Sequence, residues 1–342
     1  MGAPSRQLRF LIPALFEPLE QLRASGGHLS GMDTAAALLA RADRLPGPDD
    51  ELERVLCDAF GLTPSADADL PVAALTRLAD TGHGDDAFWL RADPLHLRAD
   101  RDRLLAFGGA ALELSQQEAA ALVGELNAHF QADGWTLEAP HPARWYLRLS
   151  EDPGIRTTAV AEVLGKDVDR LLPTGPDARR WHGLLNEVQM LLHSSAVNAA
   201  REDSGTPAVN SVWFWGGGRM PHVVDSPWDG VWSDEPLAKG LAMRGGVACG
   251  DLPAGAEAWL AASAPGSHLL VMSRLRDAAL SGDLSAWSRE VEALARDWLE
   301  PLRRALMRGS LERLEVVTCD GQLYRIGRRQ LWRFWRTGRG MF

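Results

Sequence analysis

Three short apolar runs lie far apart in this chain of 342 residues: LRFLIPALF from Leu8, HLLVMS from His268 and LEVVT from Leu314. Each is bounded by breakers or polar residues and is too short for a buried helix, so each reads as a strand covered on both faces. The expected strands are Leu8 to Leu15, His268 to Ser273 and Leu314 to Thr318. Helical spacing separates them: Phe16 to Ala24, Thr34 to Arg44 with Asp33 as its cap, a segment through Phe60 opened by PGPDDE, the LAKGLAMRGG stretch from Leu237, and Ser285 to Met307. Buried strands alternating with helices predict an α/β fold built on a mainly parallel sheet. A hydrophobic content of 46% is enough for a large core. Ligands of such sheets sit at the carboxyl ends of strands, which here are Trp213 to Gly218, Met272 to Asp277 and Val317 to Gly321.

The texture changes at Phe88. FWLRADPLHLRADRDRLLAFGGAALEL reads as paired strands, Ser115 and Glu118 form a capping box at the start of an amphipathic helix, and WTLEAPHPARWYLRL reads as two more strands. That order predicts an α+β domain over residues 88–173, inserted into a core of residues 1–87 and 174–342, with PTGP at Pro173 to Pro176 as its exit.

The stretch from Leu184 to Arg219 concentrates the candidate binding residues. Leu184, Leu185, Val188, Leu191 and Leu192 make one helical stripe, and Gly205 and Pro207 break the chain before an extended run, Val209 to Trp215, enters Gly216, Gly217 and Gly218. A glycine run after a strand lets backbone approach a ligand, and Asn198, Arg201, Asn210 and Arg219 are suited to an anion such as phosphate or carboxylate. The structural alternative is a tight turn with Arg201 paired to Glu202 or Asp203. His193 ends the helix beside them. Downstream, His222, Asp225, Asp229 and Asp234 offer HxxD-like metal spacing, with a solvated acidic loop as the alternative. His83 beside Asp85 and Asp86 lacks the spacing of a metal framework and reads as a turn.

A net charge of -10 and a pI near 5.4 argue against a general nucleic-acid binder. Cys57, Cys249 and Cys319 are widely spaced and odd in number, which suits a reducing compartment. LRFLIPALF is too short and too broken for a secretory segment or membrane span, so a cytoplasmic protein with no stable membrane insertion is expected. Most of the thirteen tryptophans are expected in the core or in pocket walls. The tail RIGRRQLWRFWRTGRG is the only basic block, interleaved with Trp332, Phe334 and Trp335; its expected place is against the acidic body, with contact to an anionic surface or a partner as the alternative.

With His193, Asn198, Arg201, Gly205, Pro207, Asn210 and the glycine run in view, the chain resembles the archaeal-type cofactor-independent phosphoglycerate mutases of the alkaline phosphatase superfamily. It resembles still more the proteobacterial RpfE-type regulatory proteins. The resemblance extends through LAKGLAMRGG and the strand–helix–strand order of Ser267 to Gly321. It implies an alkaline-phosphatase-like sheet sandwiched by helices, with the insertion as a lid in which Arg144 supplies a basic contact. It also implies two divalent metals and a serine nucleophile, and here the chain departs from the pattern. Where an aspartate–glycine pair is expected at the first strand the chain has Ile12, Pro13 and Ala14; Thr81 to Asp86 holds no serine; and both partner histidines near Asp277 and Asp320 are missing. The expectation is a bacterial pseudoenzyme that binds a small anionic, phosphorylated metabolite or a protein partner. Its ligand contacts would be Asn198, Arg201, Asn210, Gly216, Gly217, Gly218, Arg219, Arg144 and His193. No cofactor is expected. The alternative is an active metal-dependent mutase or phosphatase with a rearranged site holding Mn or Zn, for which Asp225, Asp229, Asp277 and Asp320 are the candidates.

Overall fold

The computed structural model describes residues 5–24, 26, 28–63, 68–101 and 103–337. In chain order its strands are β1 (Arg6–Leu11), β2 (Asp43–Pro46), β3 (Phe88–Asp100), β4 (Arg103–Gly108), β5 (Thr136–His141), β6 (Arg144–Leu149), β7 (Ser211–Gly218), β8 (Gly230–Ser233), β9 (Cys249–Asp251), β10 (Gly266–Val271), β11 (Arg313–Val317) and β12 (Gln322–Gly327). The chain divides into two compact units, residues 1–62 with 223–342 and residues 63–222.

The first unit carries a seven-stranded sheet in the order β2-β12-β11-β1-β10-β8-β9. β1 lies parallel to both β10 and β11, and β8 is parallel to β10 and β9, while β12 and β2 add antiparallel strands at one edge. The three apolar runs are therefore three adjacent central strands, as continuous apolar segments require. Phe10, Leu270, Leu314 and Val316 enter a core completed by helical Leu38, Leu39, Trp287, Trp298 and Leu302. The first strand ends at Leu11 rather than Leu15, because Pro13 cannot donate to a ladder and Ala14 turns into the left-handed region at φ 58. The long C-terminal helix is three joined pieces, Leu284–Ala293, a π-helical Leu294–Leu299 and Glu300–Arg308. Pro301 lacks the N–H that would continue the regular ladder, which accounts for the widened segment before it.

The second unit is an antiparallel sheet in the order β4-β3-β6-β5, with β7 also paired to β3. Its bounds are wider than the 88–173 expected for the insertion. β7 zips onto β3 from Leu95↔Ser211 to Trp89↔Gly218, and the helix Ala178–His193 packs its stripe of Leu184, Leu185, Val188 and Leu192 into the same core. A pairing between segments more than a hundred residues apart draws the later stretch into this unit. The Ser115–Glu118 capping box forms as expected. Phe130 stacks on Trp135 at 4.4 Å, Trp135 stacks on Trp181 at 5.7 Å, and Phe214 meets Trp181 edge-on, which explains several tryptophans as core.

Among the described residues no helix is long and apolar enough to cross a membrane. The end of the basic tail, Gly338 to Gly340, lies outside the described residues.

Candidate functional site

Parallel pairing brings the carboxyl ends of β1, β8, β10 and β11 to one edge of the first unit. β1 delivers Ile12, Pro13 and Ala14; β8 delivers Asp234 and Glu235; β10 leads through Met272 into Ser273 to Asp277; β11 leads into Thr318, Cys319 and Asp320. Backbone bonds tie this edge together, Met272 N–H to the Leu11 carbonyl at 3.1 Å and Ile12 N–H to that of Val317 at 2.8 Å. Two of these strand ends hold non-glycine residues in left-handed backbone, Ala14 at φ 58 and Cys319 at φ 62. Such strained positions concentrate at functional sites.

The chemistry of the edge is dominated by Arg276, a residue that sequence reasoning did not single out. Its guanidinium is buried and forks onto Glu53, donating to Oε1 at 3.0 Å and to Oε2 at 2.9 Å, and its second terminal nitrogen lies 3.4 Å from Glu51. Burial works against the guanidinium charge, but Glu53, Glu235 and Glu51 more than offset it and hold the group firmly protonated. Glu235 caps the helix Pro236–Arg244 by accepting from the Leu237 N–H. Burial, and then the nearby Glu53 carboxylate, push Glu235 up to about 7. Burial likewise pushes Asp277 up to about 6 against the pull of Arg276. The Cys319 thiol is driven by burial up to about 12, so it is no nucleophile at neutral pH. Arg276 was one residue from the expected Asp277, but its partner Glu53 is 223 positions away on the helix Leu52–Ala59, and no local pattern joins them.

The resemblance implies two divalent ions at this edge, and the side chains present do not fit them. β1 ends in three residues without a donor side chain. Asp234 accepts from the Ser273 N–H at 2.9 Å, the Ser273 hydroxyl at 3.2 Å and Arg274 at 3.1 Å, so both its oxygens are engaged. Asp320 accepts from the Thr318 hydroxyl and, at 3.3 Å, from the Gln322 N–H. The fixed guanidinium adds positive charge where cations would have to enter. The rearranged set fares no better. Asp229 precedes β8 and bonds the Ser267 N–H at 2.8 Å, whereas Asp234 follows β8, and at about 3.3 Å per residue the two lie roughly 16 Å apart. Asp225 packs beside Gly61.

In the second unit, the residues expected to grip an anion are bonded within the protein. Asn198 donates to the Leu192 and Val209 carbonyls and accepts from the Val209 N–H, each at 2.8 Å. Arg201, 3% exposed, donates to the Pro207 carbonyl, to Glu118 and to the Leu112 carbonyl. Asn210 exchanges bonds with the Leu97 N–H and C=O, and Arg144 forks onto Asp80 at 2.8 and 2.6 Å. Arg219 donates to the Asp86 and Ser150 carbonyls, and His193 is exposed at its helix end. The glycine run is part of β7 rather than a turn beyond it. A Cβ on Gly216, Gly217 or Gly218 would meet Val72, Leu90 or Pro71 at 2.9, 2.8 and 2.7 Å, so these glycines admit close packing of protein against the strand. Beside them a buried polar network joins Arg91 to Asp93, with Trp215 donating to Asp93 at 2.8 Å and the guanidinium 5.3 Å from the Tyr146 ring. Its signal was readable: residues two apart on a strand share a face.

No known family profile matches the chain. Against curated proteins it is 25% identical over 171 residues to the "Probable 2,3-bisphosphoglycerate-independent phosphoglycerate mutase" of Geobacter sulfurreducens, which covers 48% of this chain and 42% of that protein. It is 26% identical over 145 residues to the 2,3-bisphosphoglycerate-independent phosphoglycerate mutase of Methanosarcina barkeri, covering 40% and 36%. The chain is a distant relative of these mutases. It spans about two fifths of the length of the curated relatives it matches. Among solved structures, the PH0037 protein from Pyrococcus horikoshii aligns with a TM-score of 0.54 at 12% identity over 95% of this chain and 88% of that one. A cofactor-independent phosphoglycerate mutase from Thermoplasma acidophilum aligns with a TM-score of 0.43 at 14% identity, over 95% and 90%. The expectation of an α/β fold built on a mainly parallel sheet with helices is borne out, and the PH0037 protein shares that fold.

Proposed function

We propose that this chain is a non-catalytic relative of the cofactor-independent phosphoglycerate mutases and works as a binding or regulatory protein of the RpfE type. The observation that carries this reading is the Arg276–Glu53 pair at the carboxyl edge, a fixed internal cation among carboxylates that are already hydrogen-bonded. Ala14 supports it. At the strand end where the resemblance expects an aspartate followed by glycine, Ala14 stands in the left-handed backbone that suits glycine, with no carboxylate beside it among Ile12, Pro13 and Ala14. Phosphoryl transfer through a phosphoserine needs an activated hydroxyl and charge stabilisation of the moving group; at this edge the cations Arg276 and Arg274 are paired with Glu53 and Asp234, and the Ser273 hydroxyl shares Asp234 with Arg274. Because Asn198, Arg201, Asn210 and Arg144 are bonded internally, a protein partner accounts for the reading better than a phosphorylated metabolite held by those four.

The test is a phosphorus NMR time course of the purified chain with 3-phosphoglycerate and Mn²⁺. The expected outcome is an unchanged substrate resonance; growth of a 2-phosphoglycerate or free phosphate signal would overturn the proposal.

A further inference from the structure

The basic tail does not bury its aromatic rings. After β12 the chain makes a short turn, Gln330–Trp332, that is fastened to the first unit: Leu331 is buried, Arg41 donates to the Leu331 carbonyl, Gln330 bonds Asp43 at 2.7 Å, and Arg333 donates to Asp43 at 2.6 Å and to the Arg41 carbonyl. Arg336 adds a bond to the Ala42 carbonyl. The expected packing against the body is thus met by Leu331, Gln330 and the anchoring arginines, and not by the rings of Trp332, Phe334 and Trp335. Trp332, Phe334 and Trp335 point away and are 69%, 71% and 68% exposed. Three large rings turned outward within four residues are not scattered surface hydrophobes, and such a patch marks an interaction site.

The charge around the patch states what it meets. Arg328 and Arg329 are exposed, and among the described residues their side chains have no hydrogen-bond or ion-pair partner. The chain as a whole is at -10, so this block is a local reversal of sign. Indole rings have an apolar body and a polar edge, and arginines extend an apolar stem with a charged head; together they match the boundary between headgroups and acyl chains.

We propose that the segment Arg328 to Trp335 is a peripheral anchor for an anionic lipid surface, with the three rings entering the headgroup boundary and Arg328 and Arg329 pairing with lipid phosphates. Arg333 and Arg336 hold the segment in shape. One short segment gives reversible adsorption, and its strength falls as salt screens the two arginines. This inference does not depend on whether the chain has mutase activity.

The experiment is co-sedimentation of the full chain with phosphatidylcholine vesicles, pure or containing one third phosphatidylglycerol, at low and high salt. The expected result is binding to the anionic vesicles alone, reduced on the order of tenfold or more by Arg328→Gln with Arg329→Gln and abolished by Trp332→Ala with Phe334→Ala and Trp335→Ala. All five side chains are exposed, so circular dichroism should show both variants folded. Failure to bind anionic vesicles would overturn the proposal and leave the patch to a protein partner. Undiminished binding by the ring variant would overturn it as well.

Discussion

Ala14 shows how the surrounding fold can impose a backbone that a residue would not choose for itself. A left-handed backbone costs an L side chain about 1–2 kcal/mol relative to glycine, and Ala14 stands at φ 58 at the end of the central strand of the parallel sheet. Its carbonyl accepts from the Trp287 indole at 3.0 Å, so the conformation is held by the core rather than chosen by the residue. Ala14→Gly should therefore relieve strain without losing that bond. Part of the gain is offset because glycine has more freedom in the unfolded chain, by about 0.4–1 kcal/mol. The expected net effect is a stabilisation of about 0.5–1 kcal/mol, read as a rise in the urea midpoint at unchanged slope. A fall in the midpoint would show that the methyl group packs too well to lose.

At the scale of elements, the glycine run gives the sharpest test of how strand and helix fit. Gly216 has φ +63, and a Cβ there would lie 2.9 Å from the Val72 Cβ on the helix Val72–Thr81. Gly216→Ala should combine backbone strain with overpacking and cost about 2–4 kcal/mol. Gly82 is the control, because its φ of +74 is similar but open space surrounds it, so Gly82→Ala should cost only about 1–2 kcal/mol. Equal losses in denaturant melts would remove packing as the role of the run. The same elements show what the sequence could disclose. The Ser115–Glu118 box, the helical stripe from Leu184 and the three apolar strands were legible because their signals are local and periodic. The run Gly216 to Gly218 reads in the sequence as a close approach to a ligand, with a tight turn as the alternative; its pairing with β3, more than a hundred residues earlier, has no mark at the triplet. The internal bonds of Asn198 and Arg201 were equally hidden, because the Val209 and Leu112 carbonyls that accept from them lie 11 and 89 positions away. Arg276 was missed because Glu53 meets it only through the sheet.

For the whole molecule, the raised carboxyls of the first unit set a pH dependence opposite to that of an ordinary acidic protein. Glu235 titrates at about 7 in the folded state, against 4.5 as its ordinary value, and Asp277 at about 6 against 3.8. Between those limits the folded chain binds more protons than the unfolded chain, so stability falls as pH rises from about 4 to 7 and is regained on acidification. Glu118 in the second unit has the opposite sense. Burial opposes its charge, but Ser115 and Arg201 outweigh that and hold it near 2, so its contribution is present above about 4.5 and lost as pH falls toward 2. The two effects together place the stability maximum in mildly acidic solution, near pH 5. Urea melts at pH 8 and pH 5 should differ by about 4 kcal/mol in favour of pH 5, and Glu235→Gln, which keeps an acceptor for the Leu237 N–H, should remove more than half of the difference by raising stability at pH 8. A variant as pH-dependent as the parent would assign the dependence to the general relief of the -10 net charge instead.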